Sequence, residues 1–167
     1  LGGHCIPIDP FYLTWKAKEY DLRTRFVELA GEINNSMPNY VVQKISSTLN
    51  DSNKSIKNSK LLILGITYKK NIDDMRHSPS VEIIKILTEK QAIVSYNDPF
   101  FKEFPKMRDY NFDLKNIEIT PSLISDFDVC ILCTDHDAFD YDMIFRFSKL
   151  IVDTRGKFKT SEKVIRA

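Results

Sequence analysis

Gly2-Gly3-His4-Cys5-Ile6-Pro7-Ile8-Asp9 is the stretch of this chain whose residue types and spacing point most directly to chemistry. A thiolate attacks carbonyl carbons well. Two glycines just ahead of the cysteine let a backbone approach a ligand closely or take dihedrals that other residues avoid. Asp9 could help order a base or a water, or cap a helix N-terminus. The plain alternative for Cys5 is a small buried residue, since free cysteine is commonly buried and inert. The glycine lead-in and Asp9 favour a nucleophile on a ligand-hugging loop. A nucleophile loop needs support on both sides, and this one follows directly on Leu1, so the chain reads as a fragment of a larger protein.

A second candidate is the loop from Tyr68 to Pro79, which carries Lys69, Lys70 and Arg76. It lacks the G-x-G-x-x-G fingerprint, but lysines and an arginine can supply the charge for a phosphate, with Arg adding bidentate geometry. Ser78 and Pro79 read as the N-cap and first residue of a helix whose N-terminus points into the site. A solvated charged loop is the alternative. Arg155, in Asp153-Thr154-Arg155-Gly156, is a reasonable anion contact or else a surface ion pair. No metal is expected. Cys130 and Cys133 lie in a strand-like run, where residues three apart face opposite ways, so they cannot join His4 and Cys5 around one ion. His136 could be a base, but its flanking acids suggest a solvated turn.

The elements that must position these residues follow from periodicity. Phe11 to Glu19 reads as a short helix with an aromatic, buried side. Phe26, Leu29, Ala30, Ile33, Met37, Val41, Ile45 and Leu49 keep helical spacing for about 36 Å, with Pro38 expected to kink or restart the helix. So long a helix links domains or pairs with a copy of itself. Beyond the polar turn at 51–55, apolar runs at 61–66, 92–96, 128–133 and 150–153, and a weaker one at 116–120, read as strands. Helical patterns at 80–90 and 141–147 alternate with them. Alternation implies an α/β fold, a parallel sheet with helices on both faces, whose ligands bind beyond the carboxyl ends of the strands.

Composition bounds the partners. The 167 residues carry a net charge of +1 with the two signs interspersed, which argues against a nucleic-acid partner. No apolar run approaches the roughly 18 residues that cross a membrane. Three cysteines suit a reducing cytoplasm better than a disulfide framework.

Together these residues resemble the UDP-glucose/GDP-mannose dehydrogenase family. Its cysteine loop, G-G-x-C-x-P-x-D, is matched by Gly2-Gly3-His4-Cys5-Ile6-Pro7-Ile8-Asp9. Its nucleotide-sugar loop, roughly F-K-x4-D-x-R-x-S-P, is matched by Tyr68-Lys69, Asp74, Arg76, Ser78 and Pro79. Its late D-x-R is matched by Asp153-Thr154-Arg155. The resemblance implies oxidation of the C6 alcohol of a nucleotide sugar to a carboxylate with two NAD. It implies that Cys5 captures the aldehyde as a thiohemiacetal, which a second hydride transfer turns into a thioester that water hydrolyses. Asp9 matches the acid associated with that water and Gly2 a backbone contact to the sugar nucleotide. Tyr68, Lys69 and Arg155 match residues that hold it, and Arg76 one that reaches the cofactor.

It further implies that residues 1–58 form the cysteine loop and a central dimerisation helix, and that residues 59–167 form a Rossmann-like UDP-binding domain. A fragment without the family's NAD domain would be inactive alone. Ile8 stands where the family often has Lys, and Tyr68 where it has Phe. The wording around Cys5 and Pro10-Phe11-Tyr12 looks most like the branch that oxidises UDP-N-acetylhexosamines. Two other readings stay open: a non-catalytic nucleotide-binding and dimerisation module, and a receiver-like signalling domain. The latter would want acids at the end of the first strand, where Tyr68-Lys69-Lys70 stands.

Overall fold

The computed structural model describes residues 1–105 and 112–167. Its centre is a five-stranded parallel sheet, ordered β2-β1-β3-β4-β5. The strands are β1 (Lys60–Leu64), β2 (Ile93–Asn97), β3 (Val129–Leu132), β4 (Ile151–Asp153) and β5 (Val164–Arg166). The helices are α1 (Cys5–Lys18), α2 (Arg25–Asp51), α3 (Pro79–Glu89), α4 (Pro121–Asp126) and α5 (Tyr141–Phe147). β1 and β3 are apolar on both sides because each side meets a helical layer. Leu61, Ile63, Val129 and Ile131 pack with Val42, Ile45 and Leu49 of α2 and with Ile84 and Leu87 of α3. On the opposite face, Leu62, Leu64, Cys130 and Leu132 pack with Ile124 of α4 and Ile144 of α5. The α/β architecture expected from the alternating pattern is therefore the observed one.

Several expectations need correction. Among the described residues the segment 116–120 joins the sheet only through one bridge between Tyr96 and Asn116; the Asn116 backbone amide donates away from the sheet, to the Lys102 carbonyl (3.3 Å), and its side-chain amide to the carbonyls of Asp98 (2.6 Å) and Phe101 (2.9 Å). The fifth strand is β5, a three-residue edge strand. Pro38 does not restart α2, which runs unbroken for 27 residues, about 40 Å. Only its C-terminal half is buried on the sheet. On the other half Phe26 is 89%, Leu29 49% and Ile33 53% exposed.

The largest change is at the N-terminus. Cys5 is not on a loop but is the first residue of α1. Pro7 lies in the first turn, where its missing N–H costs no helical bond, while Pro10 removes one donor from the ladder. Asp9 therefore sits inside the helix, which excludes a capping role; the N-cap residue is His4. Nor is the aromatic side of α1 buried: Phe11, Tyr12 and Trp15 are exposed, and Thr14 is the buried residue. Among the described residues no helix is long and apolar enough to cross a membrane.

Candidate active site

The N-terminal segment is laid across the β1–α3 connection by its two glycines. The Gly3 amide donates to the Arg76 carbonyl (3.3 Å). Gly3 has φ +89°, and a Cβ there would lie 2.7 Å from Tyr68 Cε2. A Cβ on Gly2 would lie 2.5 Å from the carbonyl oxygen of His77 and 2.7 Å from Pro79 Cδ. The glycines thus serve the close approach of two protein segments. Gly2→Ala in the whole protein should lower stability by about 1–3 kcal/mol, because the clash is with backbone that cannot rotate away. Thermal unfolding checks this, and an unchanged Tm would contradict the packing.

That contact closes one wall of a cavity of about 590 Å³. It is lined by Gly2, Cys5, Tyr68, Lys69, Arg76 and Arg155, and also by Lys70 and Asp135. Six of the seven residues singled out from the sequence thus converge from three separate segments. The seventh, Asp9, lines an adjoining apolar cavity of about 680 Å³ that shares Cys5 with the first. Helical i,i+4 spacing places Cys5 and Asp9 on one face of α1. The donor atoms of His4, Cys5 and Asp9 lie within 4.8 Å of one another, all on exposed side chains. The N-terminus of α3 does not line the Cys5 cavity. Pro79 and Ser80 border a neighbouring, largely apolar cavity of about 580 Å³, which shares Leu1, Ile6 and Arg155 with it.

The charges around the Cys5 cavity are unequally committed. Asp74 grips Arg76 through Nε (3.0 Å) and a terminal nitrogen (2.7 Å). This hydrogen bond holds the Asp74 carboxyl below the usual carboxylate range and raises Arg76. Lys70 pairs with Asp137 at 3.1 Å. Lys69 has no ion pair among the described residues. Arg155 spends only Nε, which donates to the Cys133 carbonyl at 2.6 Å, and its terminal nitrogens have no partner among the described residues. Asp153 fixes the backbone beneath it by accepting from the amides of Arg155 and Gly156, both at 2.9 Å, and of Phe158 at 2.8 Å. Two uncommitted cations, Lys69 and Arg155, thus line one cavity, which Asp135 also borders.

Cys130 and Cys133 play no part at the surface. They lie in the two opposite core layers, and burial pushes their thiols up to about 11 and about 12. His136 does not sit on the solvated turn that its flanking acids suggest. It is fully buried, with Nε2 3.2 Å from an Asp98 carboxylate oxygen. The sequence signal that could have found the pair is positional: Asp98 and His136 follow β2 and β3, the two strands that flank β1.

Comparison with known proteins places the chain in a family. The profile of the UDP-glucose/GDP-mannose dehydrogenase family, UDP binding domain, matches residues 62–160, and that of the same family's central domain matches residues 1–36. A UDP-N-acetyl-D-mannosamine dehydrogenase of Methanococcus maripaludis is 38% identical over 139 residues, 83% of this chain and 29% of the relative. An NDP-N-acetyl-D-galactosaminuronic acid dehydrogenase of Ralstonia solanacearum is 32% identical over 160 residues, 93% of this chain and 35% of the relative. Among solved structures, the UDP-N-acetyl-mannosamine dehydrogenase of Staphylococcus aureus superposes with a TM-score of 0.69 at 27% identity, covering 99% of this chain and 37% of that one. The chain thus spans about a third of the length of the curated relatives it matches. With profiles covering both its cysteine segment and its sheet, the chain belongs to the UDP-glucose/GDP-mannose dehydrogenase family.

Proposed function

We propose that the whole protein is an NAD-dependent dehydrogenase that oxidises the C6 alcohol of a UDP-N-acetylhexosamine to the uronate, with this chain supplying the nucleophile and most of the nucleotide-sugar site. One observation carries the reading: an exposed cysteine shares a cavity with two cations, Lys69 and Arg155, that have no ion-pair partner among the described residues. A diphosphate is the group that such cations would neutralise. The names of the relatives favour an N-acetylhexosamine as the sugar.

In this reading Lys69 and Arg155 hold the diphosphate, and Tyr68 and the Gly2 backbone border the sugar nucleotide. Cys5 Sγ adds to the carbonyl carbon of the 6-aldehyde, giving a thiohemiacetal. At the later hydrolytic step Asp9 orders the water that attacks the acyl carbon, and the Cys5 thiolate leaves. NAD would accept the hydrides. The described residues do not offer it a glycine-rich cradle after β1: the turn there has no glycine-rich fingerprint, and α3 starts only at Pro79, well beyond that strand. Arg76, exposed on the cavity rim, is the one residue proposed to reach the cofactor. The dinucleotide would be held elsewhere in the whole protein, and the 167 residues alone would be inactive.

The division at residue 58, with a helical part and a UDP-binding part, is part of the same proposal, as is a reducing cytoplasmic setting. So is a homodimer through α2, supported by the exposed stripe of Phe26, Leu29, Ile33, Met37 and Tyr40 at helical spacing. The test is an assay of the whole protein with UDP-N-acetylglucosamine or UDP-N-acetylmannosamine and NAD. Two NADH per uronate formed supports the reading; binding of the UDP-sugar without any oxidation supports a non-catalytic module instead.

A further inference from the structure

The connection from β1 to α3, residues 65–78, is long for a βα loop, which usually takes about 2–6 residues. A long exposed loop that must present Tyr68 and Lys69 at fixed positions needs tie points. Several of them converge on one buried pair, beside the Asn71–Asp137 hydrogen bonds at the surface (2.5 and 3.0 Å) and the Thr134 hydroxyl, which donates to the Thr67 carbonyl at 2.6 Å. Asp98 accepts from the Ile66 amide at 2.7 Å and from the Phe100 amide at 2.8 Å. Burial pushes its carboxyl up, but the hydrogen bonds from His136, Ile66 and Phe100 outweigh burial and hold it below the usual carboxylate range. The Asn71 amide donates to His136 Nδ1 at 3.0 Å, so that nitrogen carries no proton and the ring proton sits on Nε2. Nε2 faces both Asp98 Oδ2 (3.2 Å) and Thr67 Oγ1 (3.1 Å), and the Thr67 hydroxyl donates onward to the Lys69 carbonyl at 2.8 Å. Phe100 and Phe139 pack against the ring, with centroids at 5.2 and 5.5 Å, and keep water out.

Resting on the nucleotide-sugar reading of the cavity, we propose that Asp98 and His136 are positioning residues: a buried latch that holds the Tyr68–Lys69 loop in its ligand-binding shape. Asp98 selects the His136 tautomer, and His136 grips the loop at Asn71 and Thr67. Neither residue touches the ligand. Asp98→Asn keeps the shape and, through Oδ1, the Phe100 hydrogen bond; with its NH2 at the Oδ2 position it loses the Ile66 hydrogen bond and presents an amide N–H to Nε2. The ring proton is then driven to Nδ1, where it opposes the Asn71 amide and releases the loop.

The experiment is amide hydrogen exchange on the whole protein and its Asp98→Asn variant, with the side-chain nitrogens of His136 observed by NMR and UDP affinity by calorimetry. In the parent protein the latch requires a proton on Nε2 and none on Nδ1; the reverse tautomer overturns it, whatever the variant does. In Asp98→Asn the Asn71 amide should exchange at least about tenfold faster while Ile63 and Ile84 amides keep their rates, and UDP should bind about tenfold more weakly. Equal exchange at Asn71, or acceleration shared by the whole sheet, would show a core pair with no hold on the loop. Should Asp98→Asn not fold, Thr67→Val makes the same test at the Lys69 end: unchanged UDP affinity there overturns the latch. Tautomer and exchange need no ligand. A parent protein that binds no UDP would therefore sink the nucleotide-sugar reading while leaving the latch decided by those two measurements.

Discussion

Cys5→Ser in the whole protein is expected to abolish uronate formation, with turnover down by at least about 10³-fold, while UDP affinity stays within about twofold. The substitution changes one atom, and it does so on an exposed side chain at the start of α1, so there is no core to disturb. Binding survives because the cations assigned to the diphosphate, Lys69 and Arg155, come from other segments. Chemistry is lost because a serine hydroxyl at neutral pH is a far weaker nucleophile than a thiolate and a poorer leaving group at hydrolysis. Cys130→Ser serves as the contrast. That thiol is buried in the layer beneath α5, and its replacement should affect stability without selectively removing turnover. A Cys5→Ser enzyme that turned over normally would remove the nucleophile from the account.

Arg155→Ala carries the second large effect. The side chain is already ordered: Nε is tied to the Cys133 carbonyl and the backbone below is fixed by Asp153. Little rotamer entropy is therefore left to lose when a ligand binds, and the terminal nitrogens remain open for a bidentate contact. Removing this donor should weaken UDP by about 10–100-fold, the range of a charge-assisted hydrogen bond. It should also flatten the salt dependence of binding, since one cation has gone from the site. Arg155→Lys should recover only part of the affinity, because a point charge cannot reproduce the planar fork. Calorimetric titration of the three proteins with UDP checks this. Equal affinities would mean that the diphosphate lies elsewhere.

Much of this architecture can be read in the sequence, and the exceptions have physical causes. The runs Leu61–Leu64 and Val129–Leu132 stand out because both faces of each strand are buried. β5 does not, because a three-residue edge strand that follows Lys163 and ends in Arg166 carries no periodic signal. The start of α1 is not legible because Gly2 and Gly3 ahead of Cys5 point to a loop, although the helix begins at Cys5 itself. Without the turns before Phe11, the shared face of Cys5 and Asp9 is not visible, and Asp9 is open to a capping role that its place inside the helix excludes. His136 was misread because its neighbours Asp135 and Asp137 face solvent while its ring turns inward to Asp98, a distinction no local pattern contains. The residues of the cavity itself were legible through three short motifs, whose distance along the chain the fold cancels.

If Cys5 stands at the mouth of a nucleotide-sugar site, a bound nucleotide sugar must govern how fast its thiol is alkylated. Cys5 is exposed whereas Cys130 and Cys133 are buried, so among these three thiols iodoacetamide should modify Cys5 of the whole protein selectively. Saturating UDP-N-acetylglucosamine should slow that modification by about tenfold or more, the protection expected when a bound ligand covers the thiol. If the nucleotide sugar binds, by calorimetry, and Cys5 is alkylated at an undiminished rate, the ligand does not lie against Cys5 and the account is contradicted.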